Sequence, residues 1–221
     1  MTTKEILSYV DHTALGVTAV AADYIKLCDE GLQFNVASVC VPPSRVAVCA
    51  EHLAGKLAVC TVVGFPNGYT DPAAKAYETE TALRAGATEI DMVIDIGKTK
   101  EQNFAAVLAD IKKVRAAAGK HILKVIIETA LLTEAEKIAL CQTVGESGAD
   151  YIKTSTGFAP TGATFEDVAL LRKHSPPHVK VKAAGGITTL DDARKFIELG
   201  ADRLGTSRIV KIVQGMEGSG Y

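Results

Sequence analysis

Four charged side chains, Asp91, Lys124, Lys153 and Lys182, fall where an extended chain would turn them to one side. In Glu89-Ile90-Asp91-Met92-Val93-Ile94 the apolar Ile90, Met92 and Ile94 share a face, leaving Asp91 and Val93 on the other. Lys124 and Ile126 are likewise opposed to Leu123, Val125 and Ile127, and Lys153 to Ile152. Lys180 and Lys182 are opposed to Val179 and Val181. If such strands close into a barrel, the apolar faces pack on outer helices and the charges point inward, with Asp11 joining from the first strand. Small barrels normally fill their interior with branched apolar side chains, and isolated buried charge is costly unless paired or solvated by a site. A structural ion-pair network accounts for two of the carboxylates and two of the lysines, and leaves one lysine over.

A surplus lysine is what amine catalysis needs. A lysine near its reference pKa of about 10.4 is protonated at neutral pH and cannot attack a carbonyl; reaching roughly 7 takes about 4–5 kcal/mol of ammonium destabilisation. A second cation nearby, with partial desolvation, supplies shifts of that size. Lys153 and Lys182 are expected at the ends of adjacent strands, on the side of a barrel where active sites are built. Three short stretches follow the last three strands: Thr154-Ser155-Thr156-Gly157, Ala184-Gly185-Gly186 and Gly205-Thr206-Ser207. Their glycines let backbone N–H groups approach an anion, and the hydroxyls add donors. Arg208 follows directly and either adds a bidentate phosphate contact or faces solvent.

The elements that position these groups alternate strand and helix throughout. Strands are expected around Val10–His12, Val36–Cys40, Leu57–Val63, Glu89–Ile94, Ile122–Glu128, Tyr151–Thr154, Val179–Ala183 and Asp202–Leu204. Helical patterns include Asp71–Ala85, Gln102–Ala118, Glu134–Glu146 and Leu190–Leu199, with Thr133 and Thr189 at N-cap positions and Pro72 in a first turn. Ala85-Gly86-Ala87, Ser147-Gly148-Ala149 and Leu199-Gly200-Ala201 each stand between a helix and a strand, and Gly31, Gly55 and Gly119 are read the same way. Eight units without a linker predict a single-domain (β/α)8 TIM barrel over residues 1–221, with about 214–221 a flexible tail. An open doubly wound sheet is the alternative, but no Gly-x-Gly-x-x-Gly fingerprint accompanies it.

Composition narrows the function. The 221 residues are 48% hydrophobic and 23% charged with a formal net charge of −2, so no basic field attracts nucleic acid or a membrane surface. The N-terminal residues have no apolar signal-peptide core, and no apolar run approaches a bilayer span. Five cysteines, none in a Cys-x-x-Cys pair, fit reduced thiols in a cytoplasmic protein. His174 and His178 have metal-pair spacing, but Pro176 and Pro177 between them break any shared helical face; no metal site is expected. His12 is expected to pack or hydrogen-bond near the first strand, and Cys40 to be a buried thiol that could line the pocket.

Tyr151-Ile152-Lys153-Thr154-Ser155-Thr156-Gly157-Phe158, Val181-Lys182-Ala183-Ala184-Gly185-Gly186-Ile187 and Glu89-Ile90-Asp91-Met92-Val93 resemble the signature segments of the deoxyribose-phosphate aldolase family. Asp11-His12-Thr13, Lys124-Val125-Ile126-Ile127-Glu128-Thr129 and Arg203-Leu204-Gly205-Thr206-Ser207 extend the likeness from Asp11 to Ser207. It implies a class I aldolase of deoxyribose phosphate catabolism. Such an enzyme reversibly cleaves 2-deoxy-D-ribose 5-phosphate to acetaldehyde and D-glyceraldehyde 3-phosphate, without metal or organic cofactor. On this resemblance Lys153 forms the imine, and Lys182 lowers its pKa and relays protons with Asp91 through a water. Asp11 and Lys124 support the relay. Thr156 contacts sugar hydroxyls, while Gly157, Gly185, Gly186, Gly205 and Ser207 hold the phosphate. Tyr221 resembles a terminal tyrosine that shuttles a proton at the enamine carbon. Arg208 departs from the small residue usual after Ser207, and a homodimer is the family expectation. The rivals are another Schiff-base aldolase or transaldolase, and a phosphosugar-binding barrel whose charges are only structural.

Overall fold

Eight short strands form a closed parallel barrel in the computed structural model, which describes residues 1–215. They are β1 (Val10–Thr13), β2 (Ser38–Val41), β3 (Ala58–Val63), β4 (Glu89–Val93), β5 (Ile122–Ile126), β6 (Tyr151–Lys153), β7 (Lys180–Ala184) and β8 (Arg203–Thr206). Each pairs with the next, and β8 pairs with β1. The helices in chain order are α1 (Thr3–Leu7), α2 (Ala21–Phe34), α3 (Val46–Leu53), α4 (Pro72–Arg84), α5 (Ile96–Lys100), α6 (Phe104–Ala118), α7 (Glu134–Ser147), α8 (Phe165–His174), α9 (Leu190–Glu198) and α10 (Ile209–Val213). This is the (β/α)8 barrel, and the open doubly wound sheet is excluded by the β1–β8 pairing.

Local chemistry sets the boundaries. Asp71 accepts from the Ala73 N–H ahead of Pro72, and Thr133 and Thr189 each close a reciprocal capping box with Glu136 and Asp192. Such caps are worth about 1 kcal/mol each. β2 starts two residues later than expected because Val36 donates to the Gly31 carbonyl, which ties it to the end of α2. Gly31 is not a helix terminator. It lies inside α2, where a Cβ would come 2.7 Å from Leu57 Cδ2, and the left-handed cap is Asn35. There the glycine serves helix–sheet packing.

Strand alternation divides the molecule into two interiors. Outward residues such as Val39, Ile90, Met92, Leu123, Ile152 and Val181 are fully buried against the helices, each worth about 1.5–3 kcal/mol of transfer free energy. Inside the barrel, Leu15, Cys40, Cys60, Val62 and Phe65 form a smaller apolar cluster, and beside it lies a group of buried charges. Lys180 corrects the expected inward set. It shares the parity of Lys182 but sits at the start of β7, where it is exposed and lies 5.6 Å from the centre of the Tyr151 ring.

A buried ion pair also joins two of the outer helices. Lys75 of α4 is fully buried, donating to Asp110 of α6 at 2.6 Å and to the Val93 carbonyl at 2.9 Å. Its stem runs under Gly64, where a Cβ would lie 2.8 Å from Lys75 Cε. Removing one member of such a pair strands the other charge in low dielectric. Lys75→Ala is expected to lower stability by about 3–5 kcal/mol in urea unfolding, with Lys75→Met/Asp110→Leu recovering most of the loss. Equal losses in the two variants would contradict this.

Candidate active site

The inward residues of β1, β4, β5, β6, β7 and β8 meet in one ion-pair network around Asp91. Its Oδ2 accepts from Lys153 at 2.7 Å and from Lys182 at 2.8 Å, so both ammonium groups share one oxygen. Its Oδ1 accepts from Lys124 at 2.9 Å and from the Cys60 thiol at 3.1 Å. Asp11 pairs with Lys182 at 2.5 Å through Oδ2, and its Oδ1 accepts from Ser38 at 2.7 Å and from Arg203. Glu89 closes the network below, accepting from Lys124 at 2.6 Å and Arg203 at 3.0 Å. Asp11, Asp91, Lys124 and Lys182 are all fully buried, and Lys153 is 3% exposed.

Thus Lys153, Lys182, Asp91, Asp11 and Lys124 come together as expected. Glu89 and Arg203 were missed, although the alternation that set Asp91 inward also sets Glu89 inward two residues earlier, as it sets Arg203 relative to Gly205. The surplus of positive charge nevertheless persists. Four cations (Lys124, Lys153, Lys182, Arg203) face three carboxylates (Asp11, Glu89, Asp91). Among the described residues Lys153 pairs with Asp91 only, whereas Lys182 has Asp11 and Asp91, and Lys124 has Glu89 and Asp91 with Asp11 at 3.9 Å.

These environments fix the charge states. Burial pushes the Asp91 carboxyl up, but Lys124, Lys153 and Lys182 together outweigh it and hold Asp91 well below the ordinary carboxylate range. The same contest, decided by Lys182, Lys124 and Arg203, holds Asp11 low. Burial disfavours the Lys182 ammonium, yet Asp11 and Asp91 overcome it and raise its pKa; Lys124 is raised in the same way. Lys182 therefore remains a cation beside Lys153.

Above Lys153 a cleft opens between the loops that follow β1, β6, β7 and β8, lined by Leu15, Thr156, Gly157, Gly185, Gly205 and Ser207 among others. Thr156 is held by Glu128, which accepts from both its backbone N–H and its hydroxyl. Glu128, also missed, is buried and left-handed at φ 55°, and burial raises its carboxyl despite the Thr156 hydrogen bonds. Nothing in its immediate sequence marks that conformation. Gly185 and Gly186 have φ 70° and 72°, open to glycine at little cost. With Gly205, Thr206 and Arg208 they line a concavity continuous with the cleft. Ser207 Oγ is buried without a hydrogen-bond partner among the described residues. A Cβ at Gly205 would sit 3.0 Å from Ala184 Cβ and 3.1 Å from Lys182 Cε, so a side chain there would press on Lys182.

Other expectations resolve simply. His12 pairs with Glu30 at 2.8 Å, and His178 bonds the Gly145 carbonyl at 3.2 Å while His174 ends α8. Gln214, placed by expectation in the tail, caps α10 and donates to Glu30 at 3.3 Å. Tyr221 lies outside the described residues. Because Asp11 and Asp91 are depressed on folding and return to about 3.9 on unfolding, their contribution is full above about pH 4 and drains as pH falls below it. Asp11→Asn is therefore expected to be less stable at neutral pH but to lose less stability between about pH 4 and pH 2. Parallel stability curves for variant and parent would contradict this.

Comparison with known proteins agrees with this geometry. The model of the DeoC/LacD family of aldolases matches residues 6–216. A curated deoxyribose-phosphate aldolase of Streptococcus agalactiae is 52% identical over 98% of this chain and 97% of its own. A crystal structure from Coccidioides immitis, provisionally described as a deoxyribose-phosphate aldolase, superposes with TM-score 0.93 at 39% identity, covering 97% of this chain and 87% of that one. The tetrameric deoxyribose-phosphate aldolase of Aeropyrum pernix superposes with TM-score 0.87 at 29% identity, covering 97% and 92%. A lysine-rich barrel interior beneath a glycine-lined cleft thus stands on a sequence shared almost end to end with these proteins, and the chain belongs to the DeoC/LacD aldolase family.

Proposed function

We propose that Lys153 is the imine-forming nucleophile with which this aldolase reversibly cleaves 2-deoxy-D-ribose 5-phosphate to acetaldehyde and D-glyceraldehyde 3-phosphate. One observation carries the assignment. Of the three barrel lysines, Lys153 alone lines the cleft and alone has a single carboxylate partner among the described residues. Lys182, held protonated by Asp11 and Asp91, places a charge beside Lys153 that eases loss of the Lys153 proton. Asp91 works against this, and it also orients the amine.

The chemistry follows in steps. Lys153 Nζ attacks the aldehyde carbon of the open-chain sugar, and the carbinolamine hydroxyl leaves as water after taking a proton from the Lys182–Asp91 relay. The iminium withdraws the electron pair of the C2–C3 bond as the C3 hydroxyl returns a proton to the Lys182–Asp91 relay, which had lost one in the preceding step. D-glyceraldehyde 3-phosphate departs and leaves an enamine. Protonation of the enamine carbon and hydrolysis release acetaldehyde and restore Lys153. Asp11 and Lys124 keep Asp91 and Lys182 in place, and Thr156, fixed by Glu128, meets the sugar hydroxyls. Gly157, Gly185, Gly186, Gly205 and Ser207 bind the phosphate, and Arg208, at the same concavity, adds a cation. Tyr221 is assigned the enamine proton on family likeness.

The same proposal takes residues 1–221 as one aldolase domain, assembled as a homodimer and working in the cytoplasm. Five buried free cysteines fit a reducing compartment, and no helix among the described residues is long and apolar enough to cross a membrane. Sedimentation distinguishes the dimer from a monomer and from the tetramer described for the A. pernix protein.

Borohydride reduction in the presence of acetaldehyde is expected to leave one ethyl group on Lys153, lost in Lys153→Ala. An adduct on Lys182, or none, would overturn the assignment. Lys182→Leu is expected to lower kcat/KM at neutral pH by at least about 100-fold, with partial return at high pH; an unchanged pH profile would remove its electrostatic role. Deoxyribose without its phosphate is expected to be cleaved with much lower kcat/KM, and equal turnover would remove the phosphate site.

A further inference from the structure

Glu128 is a buried carboxylate that stands apart from the barrel network. Among the described residues it forms no ion pair, and all its side-chain hydrogen bonds go to Thr156. A buried carboxylate without a counter-charge is costly, which makes it a candidate for a functional role. The Thr156 backbone N–H is shared between both carboxylate oxygens at 3.2 and 3.3 Å, and the Thr156 hydroxyl donates to Oε2. The Phe158 N–H donates in turn to Thr156 Oγ at 3.0 Å. A threonine hydroxyl has one proton and two lone pairs. Glu128 takes the proton and Phe158 one lone pair, so a single lone pair is left for the cleft. We propose that Glu128 is a specificity-determining positioning residue, which makes Thr156 a pure hydrogen-bond acceptor and so demands a hydroxyl donor at C4 of the sugar.

With Lys153 as the nucleophile proposed above, on which this rests, C1 of the sugar is bonded to Lys153. The phosphate lies among Gly157, Gly185, Gly205 and Ser207, and Thr156 lines the same cleft. Two sugar hydroxyls fall between these ends. The C3 hydroxyl gives its proton to the Lys182–Asp91 relay, which leaves the C4 hydroxyl as the donor to Thr156. The carboxylate behind Thr156 strengthens its oxygen as an acceptor, since linked hydrogen bonds polarise one another. An oxygen that can only accept also disfavours any C4 group that cannot donate. In the direction of synthesis, the C4 hydroxyl is the C2 hydroxyl of D-glyceraldehyde 3-phosphate. Glu128 and Thr156 thus select an aldehyde with a hydroxyl next to its carbonyl.

Addition of acetaldehyde to three acceptors tests this: D-glyceraldehyde 3-phosphate and its analogues with hydrogen or fluorine in place of the C2 hydroxyl. In the parent enzyme, replacing the hydroxyl by hydrogen is expected to lower kcat/KM at least about 10-fold. Glu128→Gln keeps the size and can turn its amide to donate to Thr156 Oγ, freeing the hydroxyl proton for the cleft. Fluorine accepts weakly and cannot donate, so the fluoro-to-hydroxyl ratio of kcat/KM is expected to rise at least about threefold in Glu128→Gln. Comparing one ratio across two enzymes cancels the intrinsic reactivity of each aldehyde, and a purely structural Glu128 would change all three acceptors alike. Thr156→Val, which removes the oxygen at nearly constant volume, should lose the preference for hydroxyl over hydrogen. Three results overturn the role of Glu128: a parent that takes the hydrogen analogue as readily, an unchanged ratio in Glu128→Gln, or a hydroxyl preference that survives Thr156→Val. Borohydride trapping in the parent keeps the two claims apart. An adduct on Lys153 together with any of those results discards the role of Glu128 alone, and no adduct discards both.

Discussion

A single carboxylate oxygen holds the chemistry of this barrel together. Asp91 Oδ2 lies 2.7 Å from one lysine and 2.8 Å from another, and neither distance would persist if that oxygen carried a proton. Burial alone would favour the protonated acid; three lysine charges reverse that preference. Each lysine depends in turn on Asp91 for relief from its own desolvation. The network is consequently cooperative. Asp11, Glu89 and Arg203 extend it to the base of the barrel, where a smaller fold would place valine or isoleucine.

The network does not close evenly, and its unevenness has a position. Lys124 and Lys182 are each tied to more than one carboxylate and buried away from the cleft, so their charge is secure. Lys153 ends β6, meets a single carboxylate and faces the space above. The least-paired lysine of the network and the proposed nucleophile are thus the same side chain. Purely structural pairing, the reading suited to a phosphosugar-binding barrel, has no reason to leave its least-paired lysine at the mouth of a cleft.

Much of this was legible in the sequence because parallel strands obey a period of two. Parity alone separated Asp91, Lys124, Lys153 and Lys182 from their apolar neighbours, and Thr133, Thr189 and Asp71 announced three helix starts through ordinary capping chemistry. Parity is blind to height along the barrel axis. Lys180 has the inward phase yet is exposed at the start of β7, whereas Glu89 and Arg203, which also begin their strands, pair with each other inside. Loop conformation was less legible still. The left-handed Glu128 that fixes Thr156 is set by tertiary contacts, and Gly31 was misread because a packing glycine and a capping glycine look alike in sequence.

The central claim is that, of the buried lysines, Lys153 is the one able to give up its proton. Side-chain 15N NMR of lysine-labelled protein near neutral pH reads this directly, with Lys153→Ala, Lys124→Met and Lys182→Met used for assignment. Followed from neutral pH upward, the account predicts that Lys153 is the first of the three to exchange its ammonium signal for an amine signal, with Lys124 and Lys182 still ammonium. An amine appearing first at Lys182 or Lys124 would contradict it.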